Sequence, residues 1–311
     1  MASQASWNSL RSEIPPHRRY SLSPTPTTHT RSRTGAQHRP RPRGLSTAEA
    51  ACDERPVEGP SRGELEAVAL RAGVLALARF RRVAAERKAD HTLVTDADRE
   101  VERHVVGELV ARFPDVGVLG EEGTVREGRG ALRIVIDPID GTAAFVAGLP
   151  LWAVCIGVLR GAEPVAGVVH LPALDETYSA GDGVAWWNGR PLERLGGEQG
   201  EGDRFLLAHA ETHLRHRITY PGKIRSLGST AYHVVLVARG AAEAALLGHA
   251  HLWDLAGPGA ILGAVGGRYE YLSGGRVDLG ALIDGRRAPD YILAGSAEAL
   301  AHLRRLIGAR A

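Results

Sequence analysis

The sequence predicts an α+β part followed by an α/β part, behind a polar N-terminal tail. Three observations carry this expectation. Between residues 116 and 170 the chain is dominated by short, β-branched-rich runs, the last two joined by the tight turn "RGAE". Beyond about residue 200, short strands alternate with apolar helical stretches. Before residue 63, neither the strand nor the helix period is sustained. The 44% hydrophobic share of the 311 residues is that of a protein with a real core, and no apolar run is long enough to span a bilayer. A helical membrane protein is therefore excluded as an expectation, and no internal repeat suggests a solenoid.

Residues 1–62 hold eight of the 17 prolines and ten Arg against five acids, so this segment carries +5 of a chain whose net charge is +2. The remainder is accordingly mildly acidic, at −3. An Arg-, Ser- and Pro-rich segment of this kind cannot bury enough surface to offset the entropy of ordering, and it is expected to be disordered. A solvated extension is preferred over a transit peptide or a nucleic-acid-binding arm, and the segment lacks the apolar region of a secretory signal. Cys52 and Cys155 are the only cysteines. They form neither a disulfide framework nor a zinc pattern, and a reducing cytoplasm is expected.

The body divides into an N-terminal half, 63–200, and a C-terminal half, 201–311. Leu65, Val68, Ala72, Leu75 and Phe80 follow helical spacing, which predicts an amphipathic helix over 64–86. Thr95 or Asp96 can cap a second helix with Ala97, Val101, Val105 and Leu109 on its apolar face, ended by Phe113-Pro114. Strands are expected at 116–119, 132–136, 151–159 and 164–170, and "WWNGRP" marks a further turn. In the second half, strands near 205–208, 223–227, 242–247, 268–272 and 291–294 alternate with helices at 229–239, from Asp254 to about Val265, and at 296–308.

Four acidic clusters lie where these elements begin or end: Asp98, Glu121 with Glu122, Asp137 with Asp140, and Asp254. Element ends expose side chains on a rigid base. Asp137 is read as the end of strand 132–136, because Pro138 has no N–H for a ladder. Asp140 turns back toward the same point, and Gly141 and Thr142 then offer consecutive backbone N–H groups suited to phosphate. Carboxylates beside an anion site repel that anion unless a cation stands between them, and all-oxygen ligands suit Mg²⁺. With Glu121 and Asp254, the pair could hold two hard cations in a clamp for displacement at phosphorus. Taken singly, "DPIDGT" is also a turn, "GEE" a solvated loop, and Asp254 or Asp98 a first-turn acid. Their joint occurrence in this order favours the cation reading.

Together these residues resemble the inositol monophosphatase family of magnesium-dependent, lithium-sensitive phosphomonoesterases. The stretch from Lys88 through Val94-Thr95 to Asp98 is similar to the family's Lys…Val-Thr-x-x-Asp element, and Gly120-Glu121-Glu122 to its Gly-Glu-Glu. Asp137-Pro-Ile-Asp-Gly-Thr142 matches its signature at every position. Trp253-Asp-Leu-Ala with Gly266-Gly267, "AWWNG" and "RSLGSTA" extend the likeness over roughly residues 63 to 308. The resemblance implies a layered α-β-α-β-α sandwich with the metal site between its halves. It implies two to three Mg²⁺ per site. Glu121, Asp137 and the Ile139 carbonyl would hold the first, and Asp137, Asp140 and Asp254 the second. Glu121 would serve a third through water. Gly141 and Thr142 would bind phosphate, and Thr142, supported by Asp98, would orient the attacking water, with no covalent intermediate. Gly228, Ser229 and Thr230 occupy the family's substrate-contact segment. The partner implied is a small phosphorylated metabolite such as inositol 1-phosphate, with nucleic acid and membrane not expected and a homodimer compatible with the family.

Departures leave the substrate open among inositol phosphate, fructose bisphosphate, histidinol phosphate and 3′-phosphoadenosine phosphate. Ala144 stands where the family has Asn or Glu, and Leu247, seven residues before Asp254, stands where inositol phosphatases carry a Glu. Pro258 is unusual, though tolerated in a first helical turn. A haloacid-dehalogenase phosphatase would need Asp-x-Asp, whereas this chain has Asp-x-x-Asp. A pseudophosphatase acting through its basic tail would be expected to have lost part of the acidic set. His209, His213, His216, His249 and His251 lack zinc-site spacing and are read as surface residues or residues behind the site.

Overall fold

Alternation along each strand builds three separate apolar layers. In the strand Leu132–Asp140, Ile134 and Ile136 point one way and Val135 the other; in the neighbouring strand Ala153–Arg160, Val154 and Ile156 oppose Cys155. The first set packs under helices Arg62–Arg79 and Asp96–Arg112 through Leu65, Val68, Ala72, Val101, Val105 and Leu109. The second set meets helices Thr230–Ala238 and Leu252–Ala264, which also cover Leu207, Ala245 and Ile292 of a second sheet. The far face of that sheet, with Leu206, Leu246 and Leu293, closes against Leu300 and Leu303 of helix Ala297–Leu306. The result is the α-β-α-β-α sandwich. These features come from a computed structural model that describes residues 58–82, 85–87, 93–196 and 205–310. Lys88 and the tail up to residue 57 lie outside the described residues.

The larger sheet has eight strands in the order 190–191, 184–187, 176–181, 163–171, 153–160, 132–140, 117–120 and 125–126. All neighbours are antiparallel except 117–120 beside 132–140. The five-stranded sheet runs 223–225, 205–208, 244–247, 292–295 and 268–271, and its first three strands are parallel. Their carboxyl ends share one edge, where the loops leading into helices Thr230–Ala238 and Leu252–Ala264 also begin. Among the described residues, no helix is long and apolar enough to cross a membrane.

Three expectations are corrected. The first helix runs Arg62–Arg79 rather than 64–86: Ser61 and Glu64 form a capping box at its start, and Arg81, at φ 63°, ends it. Phe80 is drawn toward Phe145 and Trp152, 5.5 Å from each ring, and Ala85–Arg87 pairs instead as a strand with Leu93–Thr95. Tertiary partners override the helical spacing here. The strand from Leu132 does not end at Asp137. Pairing is interrupted at Pro138-Ile139 and resumes with Asp140 opposite Ala153. Finally, the helix expected from Asp254 begins at Leu252, which places Pro258 inside it rather than in its first turn.

This helix lies unusually close to the larger sheet. A Cβ on Gly157 would sit 2.6 Å from backbone atoms of Ala256 and Gly257, and one on Gly167 would sit 2.5 Å from the Gly257 carbonyl oxygen. Gly157 and Gly167 are register partners, so one bare patch of sheet seats the turn that follows Asp254. Gly157→Ala should cost about 1–3 kcal/mol through overpacking against backbone that cannot rotate away. A urea midpoint unchanged from wild type would remove this explanation of the close approach.

Candidate metal and active site

The interruption at Pro138-Ile139 determines where two carboxylates point. In an unbroken strand, residues three apart face opposite sides of the sheet; here Pro138 and Ile139 together oppose the single residue Val154, and this one extra residue brings Asp140 back to the side of Asp137. Asp254 arrives from the second half, in the first turn of helix Leu252–Ala264. One oxygen from each of Asp137, Asp140 and Asp254 lies within 4.8 Å of the other two.

Each carboxylate is supported differently. Asp254 accepts the His251 N–H at 2.6 Å, a capping bond that aims it across the helix start. Asp140 accepts the Ser229 hydroxyl, the Thr230 N–H at 3.2 Å and the Ala231 N–H at 2.9 Å, which seats it on the first turn of helix Thr230–Ala238. Asp137 is only 1% exposed, and its Oδ1 has no hydrogen-bond partner. Burial, followed by the charges of Glu121, Asp140 and Asp254 and a hydrogen bond with Glu121, pushes the Asp137 carboxyl well above its ordinary value. Burial and the Asp254 charge push Asp140 up to about 7, against the lowering effect of its bonds from Ser229, Ala231 and Thr230.

An orphaned, fully buried carboxylate oxygen beside like charges is costly unless a cation joins them. The donor set is all oxygen and all anionic, which fits a hard divalent cation. Glu121 belongs to the same electrostatic group as Asp137. The Ile139 carbonyl oxygen lies 3.1 Å from the Thr142 hydroxyl oxygen and competes with Asp98 for its single proton.

Thr142 opens the short helix Thr142–Val146, with Gly141 before it at φ 91°. A Cβ on Gly141 would meet the Gly228 carbonyl oxygen at 2.9 Å and the Leu151 carbonyl oxygen at 3.1 Å, so close packing as well as backbone conformation calls for glycine. Gly228 is thereby brought against the Asp140–Thr142 turn. Ser229 is buried, and its hydroxyl is committed to Asp140 while its oxygen accepts the Tyr232 N–H at 3.0 Å. On the other side, Asp98 accepts the Thr142 hydroxyl at 3.2 Å and, on its second oxygen, both the Thr95 N–H and hydroxyl at 2.8 and 2.6 Å. Burial holds the Asp98 carboxyl above its ordinary value in spite of these bonds.

The structure thus gathers Asp98, Thr142, Asp140 and Ser229 through direct bonds, and Glu121, Asp137 and Asp254 through shared charge. Sequence reasoning misses Glu102, a buried acid one helical turn after Asp98 that grips the loop carrying Glu121. Its only signal is an acid on the same stripe as Val101 and Val105. The histidines serve other contacts: His249 Nδ1 lies 3.1 Å from the Ala288 carbonyl oxygen, His213 Nδ1 lies 2.8 Å from that of Ala210, and His251 stacks on Trp253 at 4.5 Å.

A family model described as the inositol monophosphatase family matches residues 62–305. The chain belongs to the inositol monophosphatase family. As a member it is a phosphatase of small phosphorylated substrates, in a family that is generally metal-dependent. It is 34% identical over 195 residues to a fructose-1,6-bisphosphatase/inositol-1-monophosphatase of Thermotoga maritima, covering 58% of this chain and 72% of the relative. It is also 34% identical over 189 residues to a histidinol-phosphatase of Chlorobaculum parvum, covering 58% and 73%. Among solved structures, the extragenic suppressor protein suhB of Bartonella henselae superposes with a TM-score of 0.67 at 26% identity, covering 78% of this chain and 95% of that one. An IMPase of Thermotoga maritima superposes with a TM-score of 0.65 at 26% identity, covering 77% and 95%. Inositol monophosphatase architecture therefore accounts for both sheets.

Proposed function

We propose that the protein is a Mg²⁺-dependent phosphomonoesterase that releases phosphate from a small metabolite by in-line attack of water, without a covalent intermediate. The observation that carries this reading is the trio Asp137, Asp140 and Asp254, with the orphaned Asp137 oxygen, placed beside the Gly141-Thr142 turn. Glu121, Asp137 and the Ile139 carbonyl would hold one cation; Asp137, Asp140 and Asp254 would hold a second. When bound, such cations neutralise phosphate charge and acidify a water.

The chain's own residues handle orientation. The single proton of the Thr142 hydroxyl is drawn to Asp98 or to the Ile139 carbonyl, so the Thr142 oxygen is left as an acceptor. It can hold a water by one O–H and aim the lone pair of that water at phosphorus. Asp98, tied down by Thr95, keeps Thr142 in that rotamer. The backbone N–H groups of Gly141 and Thr142 would receive the phosphate.

The substrate is proposed to be an inositol-1-phosphate-like monoester, with weakened preference for inositol itself as the alcohol released. Leu247 is 1% exposed and packed in the apolar layer between the sheets, where it offers no acceptor to a polyol hydroxyl. Ala144 is also buried, close to Gly228. Fructose bisphosphate and histidinol phosphate are the competing substrates that the names of the two relatives bring in, and 3′-phosphoadenosine phosphate is the third. A panel of these four phosphomonoesters, assayed for phosphate release with Mg²⁺, is expected to show turnover of at least one, abolished by EDTA and inhibited by Li⁺. Inositol 1-phosphate should show a lower kcat/KM than at least one of the other three. No release from any member would sink the enzymatic reading in favour of a pseudophosphatase.

A further inference from the structure

Helix Asp96–Arg112 carries two buried carboxylates four residues apart, and they face different halves of the reaction site. Asp98 reaches Thr142. Glu102, 3% exposed, reaches the turn that bears Glu121. Its Oε2 accepts the Glu122 N–H at 2.7 Å, and its Oε1 accepts the Thr124 N–H at 3.1 Å and the Thr124 hydroxyl at 2.6 Å. The turn closes on itself through the Gly120 N–H and the Thr124 carbonyl at 2.7 Å. A Cβ on Gly120 would sit 2.5 Å from the Glu102 carboxyl, so the carboxyl takes its present place over a bare glycine.

Glu121 lies inside this grip. Its N–H donates to the Ile136 carbonyl at 3.1 Å, the residue just before Asp137, while the next N–H along is held by Glu102. The backbone of Glu121 is therefore fixed from the strand on one side and from the helix on the other. Packing alone does not require this arrangement. Val101 and Val105 of the same helix are already in the core, and the donors of this half-buried turn would otherwise look to water. A carboxylate taken out of water to meet three donors of one turn instead specifies where that turn sits.

We propose that Glu102 is a positioning residue for Glu121, and that helix Asp96–Arg112 acts as a ruler setting the separation of Glu121 and Thr142. Residues four apart on a helix are separated by about 6 Å along its axis, a distance that the helix hydrogen bonds keep constant. Asp98 and Glu102 transfer that spacing to the two groups that must face the same water. The inference rests on Glu121 being a metal ligand.

The test is a Mn²⁺ titration followed by electron paramagnetic resonance, without substrate, on wild type, Glu102→Gln and Asp137→Asn. In Glu102→Gln the amide presents N–H to at least one of the donors that the carboxylate accepted. Mn²⁺ affinity should fall about 10- to 100-fold, the range typical for removing a group that orients a ligand, while the melting temperature changes by only a few degrees. In steady-state assays kcat at a given subsaturating Mg²⁺ should fall, with the phosphomonoester KM little changed. Wild-type Mn²⁺ affinity in Glu102→Gln, or a lowered melting temperature with intact affinity, overturns the positioning role. If Asp137→Asn loses Mn²⁺ in that case, the metal reading stands and only the role of Glu102 falls; if Asp137→Asn also binds normally, both fall. Should Glu102→Gln fail to fold, Thr124→Val removes one donor from the turn. It should weaken Mn²⁺ about fivefold, the equivalent of one hydrogen bond, and an unchanged affinity overturns the proposal.

Discussion

Asp137→Asn should abolish Mg²⁺-dependent phosphate release, by a factor of at least about 10³ in kcat/KM, while leaving the fold intact. The carboxylate is buried, lies at the centre of the acidic group, and has one oxygen with no protein partner. An amide of the same shape cannot offer a second anionic oxygen to a cation, so the clamp loses the member common to both halves. The same change should raise the stability of the metal-free protein, because it removes repulsion toward Glu121, Asp140 and Asp254. Loss of turnover with an equal or higher melting temperature in EDTA is the expected pair of results. Undiminished turnover would falsify the assignment of Asp137. Lost turnover with a collapsed melting temperature would assign it a structural role instead.

The second large effect is on stability as a function of pH. In the metal-free protein, Asp140 titrates at about 7, above its ordinary value, and Asp137 is displaced in the same direction. Between the unfolded and the folded pKa, the native state therefore holds protons that the unfolded state has released. Stability then falls as pH rises. The penalty is absent below the unfolded carboxylate range near pH 4 and grows as pH rises, the part due to Asp140 being complete above about 7. A divalent cation binds the deprotonated group, so the stabilisation it confers should increase over the same window. Urea midpoints measured from pH 4.5 to 8, with EDTA and with Mg²⁺, should diverge as pH rises. Parallel curves would mean that the cation and these carboxylates are not linked.

Much of the sandwich was legible because its signals are local. The alternation of Ile134, Val135 and Ile136, and the punctuation by "WWNGRP", need only neighbouring residues to be read. The elements that were misjudged had distant partners. The first helix stops at Arg79 because Phe80 and the strand Ala85–Arg87 find partners elsewhere, and the strand from Leu132 continues past Pro138 because Ala153 is there to pair with Asp140.

The chemistry of the acidic residues follows the same division. Sequence alone determined which carboxylates are candidates, since side-chain type and order along the chain are covalent facts. That Asp137 and Asp140 share a face was decided by the interrupted ladder, which reverses the parity of an ordinary strand. That Asp254 joins them was decided by Gly157 and Gly167, which let its helix lie against the larger sheet. Ser229 and Glu102 acquired their parts only in the folded chain, where the hydroxyl reaches Asp140 and the carboxylate fills the Gly120–Thr124 turn. Covalent order names the donors and acceptors available; burial and packing decide which of them meet, because only a folded core removes the water that would otherwise satisfy them all.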